Sequence, residues 1–206
     1  MNYQNFIDDL RVMKSNNIGL MSEAQYMNIG YIMSAMTPCN LLVFGLGEDS
    51  TLWDSLNDKG NTVFLEDDLE WIKKFNSSSL NIVSVDYNTF VGDHESINFN
   101  EDKLKMNLPD HITSTSWDMI IVDAPLGHGP PGRPYKGPGR MQSIFTAYKL
   151  LKNGGICVVD DMKRDVEQKY SFHFFGKENL LNIIEDKVAI FKKKIKPSLK
   201  ELIKDK

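Results

Sequence analysis

Residues 40–50 read NLLVFGLGEDS, and this stretch decides the fold. A continuous apolar run breaks into Gly45-Leu46-Gly47 and then at once into polar residues. This pattern is typical of a buried parallel strand that turns sharply beneath a ligand and opens a helix. Gly45 and Gly47 allow the backbone to approach a ligand without a Cβ atom in the way. Ser50 stands where the dinucleotide fingerprint has its third glycine, so the turn suits S-adenosylmethionine, which has no pyrophosphate, better than NAD.

A second apolar run, residues 61–68 (NTVFLEDD), ends in acids about 20 residues downstream. A site for a dinucleotide or an S-adenosyl compound needs a carboxylate there to accept hydrogen bonds from the ribose hydroxyls. Glu66 is the candidate for this role, with Asp67 as a substitute. The alternative is that Asp67 and Asp68 only cap the next helix.

Length, charge and cysteine usage bound the class of protein. The 206 residues suffice for one domain with a substantial core, and a net charge of -4 argues against a general nucleic-acid binder. No run approaches the roughly 18 apolar residues of a membrane span, and the start MNYQNFIDDLRVMK does not read as a signal peptide. Cys39 and Cys157 lie in separate apolar surroundings. We therefore expect reduced thiols, a cytoplasmic location and no membrane anchor.

The apolar periodicity predicts strands that alternate with helices after an N-terminal helical segment, residues 1–37. Ser22 and Gln25 predict a capping box, and Asn153-Gly154-Gly155 predicts a helix C-cap. A lysine-rich tail, residues 192–206, is expected to be solvated, with attraction to an acidic glycan as the alternative. The predicted helices are 22–36, 50–56, 68–75, 140–151 and 164–170 or longer, and the predicted strands are 41–44, 62–65, 81–85, 117–122 and 156–159.

The order of these elements predicts an α/β fold with a mostly parallel sheet covered on both faces. Two further runs, residues 180–184 and 188–191, are separated by a short polar turn and predict an antiparallel hairpin. A terminal antiparallel hairpin after five strand–helix units distinguishes methyltransferase sheets from those of dinucleotide dehydrogenases. The fold class expected is therefore the Rossmann-like class I methyltransferase fold in a single domain.

Acids or the glycine turn follow each of the five predicted parallel strands. Ligands of open α/β sheets bind at the carboxyl ends of the strands, so these residues are expected to converge. Tyr87 is expected beside an adenine ring, although packing against the following loop would explain it equally well. The converging residues are Gly45 and Gly47, Glu66, Asp86 with Tyr87, Asp123, and Asp160 with Asp161.

Asp123, Asp160 and Asp161 are the residues best placed to form a catalytic or metal-binding site. Three carboxylates on neighbouring strand ends repel one another unless a cation or shared protons compensate. Oxygen ligands suit Mg²⁺, Mn²⁺ or Ca²⁺ rather than zinc. Asp123 could instead act directly as a general base toward a sugar hydroxyl, and either of the other two acids could merely cap the next helix.

Residues 125–139 (PLGHGPPGRPYKGPG) form a loop rich in proline and glycine that is expected to overhang the Asp123 end of the sheet. His128, together with Arg133 and Tyr135, lies in this loop. His128 could serve in acid–base catalysis or simply be exposed. Arg140 follows the loop and could pair with a substrate carboxylate, or it could pair with Asp123 and only brace the loop.

Three blocks, PCNLLVFGLG, FLE…WI and VDAP…PGRM, in combination resemble the plant polysaccharide-biosynthesis family of glucuronoxylan 4-O-methyltransferases and irregular-xylem proteins. The resemblance spans roughly residues 37–175. It implies a Rossmann-like enzyme that uses S-adenosylmethionine to methylate a sugar hydroxyl. It also implies cofactor roles for Gly45, Gly47 and Glu66, active-site roles for Asp123 and Arg140, and stimulation by Mg²⁺ or Mn²⁺.

The chain departs from the family pattern at several positions. Glu48 replaces a histidine, Asp160-Asp161 replaces His-Asp, and the loop after Asp123 is longer. The membrane anchor of the plant proteins is not seen, so the expected acceptor is a nucleotide sugar, a free glycan or a small sugar acid. The leading hypothesis is a sugar O-methyltransferase. A non-catalytic polysaccharide-assembly protein is the alternative, and an NAD-dependent oxidoreductase is disfavoured by the missing third glycine.

Overall fold

The computed structural model describes residues 2–128 and 136–194. Predictions for Arg133 and Tyr135, and for the lysine-rich tail beyond residue 194, lie outside the described residues. Within the described residues, no helix is long and apolar enough to span a bilayer.

The described residues contain one sheet of seven strands. The strands are β1 (Asn40–Phe44), β2 (Asn61–Glu66), β3 (Ile82–Ser84), β4 (Trp117–Val122), β5 (Leu151–Val159), β6 (Leu180–Ile184) and β7 (Val188–Lys192). Their order in the sheet is β3-β2-β1-β4-β5-β7-β6. β1 to β5 are mutually parallel, and β7 runs antiparallel to both β5 and β6. This topology confirms the predicted α/β fold class and its C-terminal hairpin.

Helices cover both faces of the sheet because β1 is apolar on both sides. Leu41 and Val43 point into a core shared with the first three helices, whereas Leu42 and Phe44 point into a second core. The alternation of side chains along a strand turns the continuous apolar run into two buried faces. The helices are α1 (Tyr3–Ser15), α2 (Glu23–Ser34), α3 (Ser50–Leu56), α4 (Leu69–Phe75), α5 (His94–Ile97), α6 (Glu101–Leu104), α7 (Asp110–Thr113), α8 (Met141–Leu150) and α9 (Asp165–Phe175).

The start of α2 has the capping box that its sequence predicts. The Ser22 hydroxyl accepts a hydrogen bond from the Gln25 backbone N–H at 3.2 Å, and the Gln25 side chain accepts one from the Ser22 N–H at 2.9 Å. Two of the unpaired N–H groups at the helix start are thereby satisfied.

The predicted glycine C-cap of α8 is wrong. The helix ends at Leu150, and β5 begins at Leu151, so Asn153-Gly154-Gly155 belongs to the strand. Gly154 has a φ of +80°, and its N–H donates to the carbonyl of Lys193 at 2.7 Å. The glycines therefore lie in an irregular first part of β5 and do not end a helix. In this part of the strand the pairing of β4 with β5 shifts register.

The hairpin of β6 and β7 brings its turn to the carboxyl edge of the parallel strands. Glu185 and Asp186 both have positive φ, which is the geometry of a tight turn that matches the strand twist. The Glu185 carboxylate accepts a hydrogen bond from the Ser22 hydroxyl at 2.6 Å. The carbonyl of Lys187 accepts one from the N–H of Met162 at 2.8 Å. The turn is thus fixed between α2 and the segment after β5.

The close approach of α1 and α2 provides a test of the packing. A Cβ atom at Gly30 would lie 2.3 Å from Cε1 of Phe6, whose ring is fully buried. Alanine favours a helix by about 1 kcal/mol over glycine, but overpacking a core costs about 1–3 kcal/mol. Because the 2.3 Å approach to a buried ring puts the overpacking cost at the upper end of its range, we expect Gly30→Ala to lower the free energy of unfolding by about 2 kcal/mol in urea denaturation. The Cβ atom of Gly92→Ala would meet no atom of the described residues within 4 Å, so this variant should stay within about 0.5 kcal/mol of the wild type. Equal values for the two variants would contradict the packing described.

Candidate active site

The turn after β1 requires both of its glycines. Gly45 has a φ of +115°, and a Cβ atom there would lie 3.2 Å from the Cβ of Ala124 on the neighbouring strand end. A Cβ atom at Gly47 would lie 2.8 Å from Oδ1 of Asp49. The N–H of Gly47 donates to the Ser50 hydroxyl at 2.9 Å, so the residue in the position of the third glycine closes the turn.

Glu66 lies at the end of β2, 5% exposed, and holds two loops together. Its Oε2 accepts a hydrogen bond from the N–H of Leu46 at 2.6 Å. Its Oε1 accepts bonds from the N–H groups of Asp67 and Asp68, at 2.9 and 2.8 Å. Burial raises the pKa of Glu66. Asp68 caps α4 by accepting a bond from the Glu70 N–H at 2.8 Å, so the capping alternative holds for Asp68 while Glu66 faces the glycine turn.

Asp86 and Tyr87 follow β3 and differ in environment. Asp86 is exposed, whereas Tyr87 is partly buried and packs against the core. The Tyr87 hydroxyl lies 3.1 Å from the hydroxyl of Ser143 on α8, and burial raises the pKa of Tyr87. The packing role considered for Tyr87 is therefore present in the structure.

Asp123, Asp160 and Asp161 come together at the ends of β4 and β5. The backbone N–H of Asp123 donates to Phe44 and that of Asp160 to Val122, at 2.9 and 3.0 Å, so the sheet pattern continues past the strand ends. One carboxylate oxygen from each acid lies within 4.8 Å of the others. Asp160 is 3% exposed, and its Oδ1 has no hydrogen-bond partner among the described residues. A buried carboxylate oxygen in this state calls for a cation or a proton.

Arg140 lies at the centre of this edge and is 3% exposed. Its Nε donates to the Pro125 carbonyl at 2.9 Å, and its Nη1 donates to the Asp160 carbonyl at 3.2 Å. Its Nη2 lies 3.0 Å from Oδ1 of Asp123 and 3.1 Å from Oδ2 of Asp161. The guanidinium is thus directed at acceptors of the protein itself, which is the bracing arrangement considered for Arg140. Burial alone would lower its pKa, but the surrounding carboxylates raise it.

Desolvation by the surrounding groups raises the pKa of Asp123 to about 8, although its side chain keeps 38% of its surface exposed. The Arg140 guanidinium opposes this rise, and the carboxylates of Asp160 and Asp49 add to it. A pKa near neutral pH is a property of general bases.

Further charged residues surround the three acids. Lys187 Nζ lies 3.3 Å from Oδ2 of Asp160, and Arg164 Nη2 lies 2.6 Å from Oδ2 of Asp161. Glu167 is buried, and its Oε1 lies 3.4 Å from Nη1 of Arg164. We call Asp123, Asp160 and Asp161 the carboxylate cluster. Its charge is compensated from α8, from the start of α9 and from the hairpin turn.

Asp49 and Tyr26 were not identified from the sequence. The Tyr26 hydroxyl donates to Oδ2 of Asp49 at 2.9 Å, and the indole N–H of Trp53 donates to the same oxygen at 3.3 Å. Burial raises the pKa of Asp49, and Asp160 adds to the rise. The signal for Asp49 was its position two residues after Gly47. Tyr26 carried no such signal, because its contact joins residues 23 positions apart.

His128 is exposed and is the last residue described before the gap at residues 129–135. Its proposed acid–base role remains a prediction, because the segment that follows it lies outside the described residues.

The chain matches one protein family along most of its length. A profile of the IRX15/IRX15L/GXM family matches residues 25–103 and 93–191. The chain is 34% identical over 196 residues to Protein IRREGULAR XYLEM 15 of Arabidopsis thaliana, covering 82% of this chain and 59% of that protein. Glucuronoxylan 4-O-methyltransferase 1 of the same plant is 36% identical over 166 residues, covering 69% and 57%. Arabinogalactan O-methyltransferase 1 is 34% identical over 177 residues, covering 73% and 60%.

The chain spans about three fifths of the length of the curated relatives it matches. Among solved structures, a SAM-dependent O-methyltransferase from Thermotoga maritima superposes with a TM-score of 0.52 at 10% identity, covering 94% of this chain and 72% of that chain. This likeness supports the Rossmann-like fold.

Removing Arg140 should destabilise the protein strongly. Breaking a buried ion pair by deleting one partner costs about 3–5 kcal/mol, because the other charges stay buried. We expect Arg140→Met to lower the free energy of unfolding by about that amount at pH 8, and by less at pH 5, where Asp123 carries a proton and needs no counter-charge. Arg11→Met, which removes an arginine 61% exposed beside Asp8, should change it by less than about 1 kcal/mol. A loss at Arg140 no larger than at Arg11 would contradict the bracing role.

The raised pKa of Asp123 predicts a pH-dependent stability. The folded protein keeps a proton between the ordinary pKa of 3.8 and the folded value of about 8, whereas the unfolded chain releases it. This carboxyl group therefore lowers stability progressively as pH rises through that window. In metal-free buffer, the stability of Asp123→Asn relative to the wild type should increase from pH 5 to pH 8.

The matched control is Asp118→Asn. Burial raises the pKa of Asp118, but the hydrogen bonds from Lys152 and from the Asn40 N–H, together with the Lys152 charge, outweigh burial and lower the pKa overall. The stability of this variant relative to the wild type should stay level from pH 5 to pH 8. A level difference for Asp123→Asn as well would mean that Asp123 ionises normally.

Proposed function

The chain belongs to the IRX15/IRX15L/GXM family, and on that premise we propose that it transfers a methyl group from S-adenosylmethionine to a sugar hydroxyl. Family membership confirms the resemblance found in the sequence. The observation that carries the proposal is that the glycine turn with Glu66 and the carboxylate cluster with Asp123 share one edge of the sheet.

The glycine turn and Glu66 fit a nucleoside. The positive φ of Gly45 disfavours any other residue, and a Cβ atom at Gly47 would displace the Asp49 carboxylate, so the bare backbone forms the floor of the site. The Glu66 carboxylate accepts three backbone hydrogen bonds, and a carboxylate has about four acceptor positions. One position on Oε2 is left for a ribose hydroxyl. When bound, S-adenosylmethionine supplies a methyl group on a positively charged sulfur.

Asp123 is proposed as the general base. A carboxylate with a pKa near neutrality can take the proton of an acceptor hydroxyl while remaining partly ionised at working pH. Arg140 is proposed as a positioning residue, because it fixes Asp123 against the Pro125 and Asp160 carbonyls. His128 and Tyr87 remain candidates for contacts with the acceptor and the adenine.

The carboxylate cluster fits a hard divalent cation such as Mg²⁺ or Mn²⁺. Its donors are all carboxylate oxygens, they lie within 4.8 Å of one another, and Oδ1 of Asp160 is buried with no hydrogen-bond partner in the part of the chain that the structure describes. Such an ion would be held by Asp123, Asp160 and Asp161. A bound divalent cation lowers the pKa of a hydroxyl that it contacts.

The proposed acceptor is a glycan, a uronic acid or a nucleotide sugar. Two relatives are named as O-methyltransferases of glucuronoxylan and of arabinogalactan. Both of these polysaccharides offer sugar hydroxyls for methylation. The loop after Asp123 differs from the family pattern, so the acceptor is proposed only at the level of a sugar hydroxyl. The competing proposal is a non-catalytic protein of polysaccharide assembly. It is kept because the family includes IRX15, whose name does not state a reaction.

Calorimetric titration with S-adenosylhomocysteine tests the cofactor site. We expect binding in the micromolar range by the wild type, no binding of NAD, and at least about a tenfold loss of affinity in Glu66→Gln, equal to about 1.4 kcal/mol. The control is Glu70→Gln, which removes an exposed acid four positions on that pairs with Lys73. It should bind as the wild type does.

Equal affinities of the wild type and Glu66→Gln would remove Glu66 from the cofactor site. Failure of the wild type to bind S-adenosylhomocysteine would favour the non-catalytic alternative.

A further inference from the structure

The turn of the C-terminal hairpin contributes a cation to the carboxylate cluster. Lys187 Nζ lies 3.3 Å from Oδ2 of Asp160 and 3.9 Å from Oδ1 of Asp161. Its backbone is fixed, because its N–H donates to Ile184 within the turn and its carbonyl accepts from Met162 after β5. The ammonium group therefore reaches the cluster from the hairpin turn beside the end of β5, at the end of a flexible stem.

Lys187 and Arg140 compensate the same acids in different ways. The Arg140 side chain is 4% exposed and is bound to two carboxylates and two backbone carbonyls, so it cannot leave without exposing the core of the site. The Lys187 side chain is 27% exposed and makes only ion pairs with Asp160 and Asp161 among the contacts described. A lysine stem of four methylenes can carry its ammonium group into water at little cost.

We propose that Lys187 is a displaceable counter-ion of the carboxylate cluster, which a divalent cation must push into the solvent in order to bind Asp160. This inference rests on the metal-binding part of the proposed function. The unpartnered Oδ1 of Asp160 and the pairing of its Oδ2 with Lys187 mean that a cation on this carboxylate would lie within a few ångströms of the ammonium group. Like charges at that separation repel strongly where solvent screening is incomplete.

Calorimetric titration with Mn²⁺ tests the proposal directly. Lys187→Met keeps the length of the side chain and removes its charge, and we expect it to bind Mn²⁺ at least about tenfold more tightly than the wild type. Lys187→Arg keeps the charge and should stay within about threefold of the wild type. A gain in affinity cannot arise from misfolding, which separates this role from a structural one.

The matched control is Lys152→Met. Lys152 pairs with Asp118, near the start of β4 and thus at the opposite edge of the sheet, and its removal changes the net charge by the same amount. We expect its Mn²⁺ affinity to stay within about twofold of the wild type, because charges more than a Debye length apart are largely screened.

A second measurement follows the ammonium group itself. Acetylation of Lys187 by acetic anhydride, read by mass spectrometry, should become several-fold faster when Mg²⁺ saturates the site, whereas acetylation of Lys152 should not change. Unchanged or weaker Mn²⁺ binding by Lys187→Met, an equal gain in Lys152→Met, or slower acetylation of Lys187 with Mg²⁺ would overturn the proposal.

Absence of Mn²⁺ binding in both the wild type and Lys187→Met would overturn it as well, together with the metal part of the proposed function. The methyltransferase proposal is judged separately, by S-adenosylhomocysteine binding in the wild type and Glu66→Gln. Either proposal can therefore fail while the other stands.

Discussion

The ion pairs of Arg140 hold the functional edge of the sheet together. Asp123, Asp160 and Asp161 are brought within 4.8 Å by the pairing of β4 with β5, and without a cation this arrangement would be repulsive. The guanidinium meets two of these carboxylates and two backbone carbonyls from a position that is 3% exposed. Burying so many charges costs desolvation energy, so the cluster is better explained by chemistry than by stability.

The topology of the sheet assembles this edge from distant parts of the chain. The parallel strands bring the glycine turn, Glu66 and Asp123 to their carboxyl ends, and β7 returns beside β5 so that the hairpin turn adds Lys187. α2 completes the edge, since Ser22 contacts the hairpin turn and Tyr26 contacts Asp49. The proposed function places the nucleoside and the acceptor hydroxyl at this edge, because ligands of open α/β sheets bind where the strand ends converge.

The sequence predicted the strands and the edge on which the acids lie, because apolar runs mark buried parallel strands and a parallel sheet gathers their carboxyl ends. It offered Arg140 as a partner of Asp123, but it did not reveal the other cations that compensate the acids. Lys187 lies in a short polar turn that also reads as an ordinary exposed hairpin, and Tyr26 reaches Asp49 from another element. The glycines near residue 154 were misread because a glycine pair signals a helix end and an irregular strand equally well. Contacts between elements that are distant in sequence leave no local pattern.

Transfer of a trideuterated methyl group from labelled S-adenosylmethionine to xylan and arabinogalactan oligosaccharides, read by mass spectrometry, tests the central claim most directly. The account predicts that the wild type places the label on a sugar oxygen and that Asp123→Asn loses most of this transfer while still binding S-adenosylhomocysteine. Transfer at the wild-type rate by Asp123→Asn would contradict the role of the carboxylate cluster. Absence of label in every sugar acceptor, from a protein that binds the cofactor, would contradict methyl transfer to these glycans.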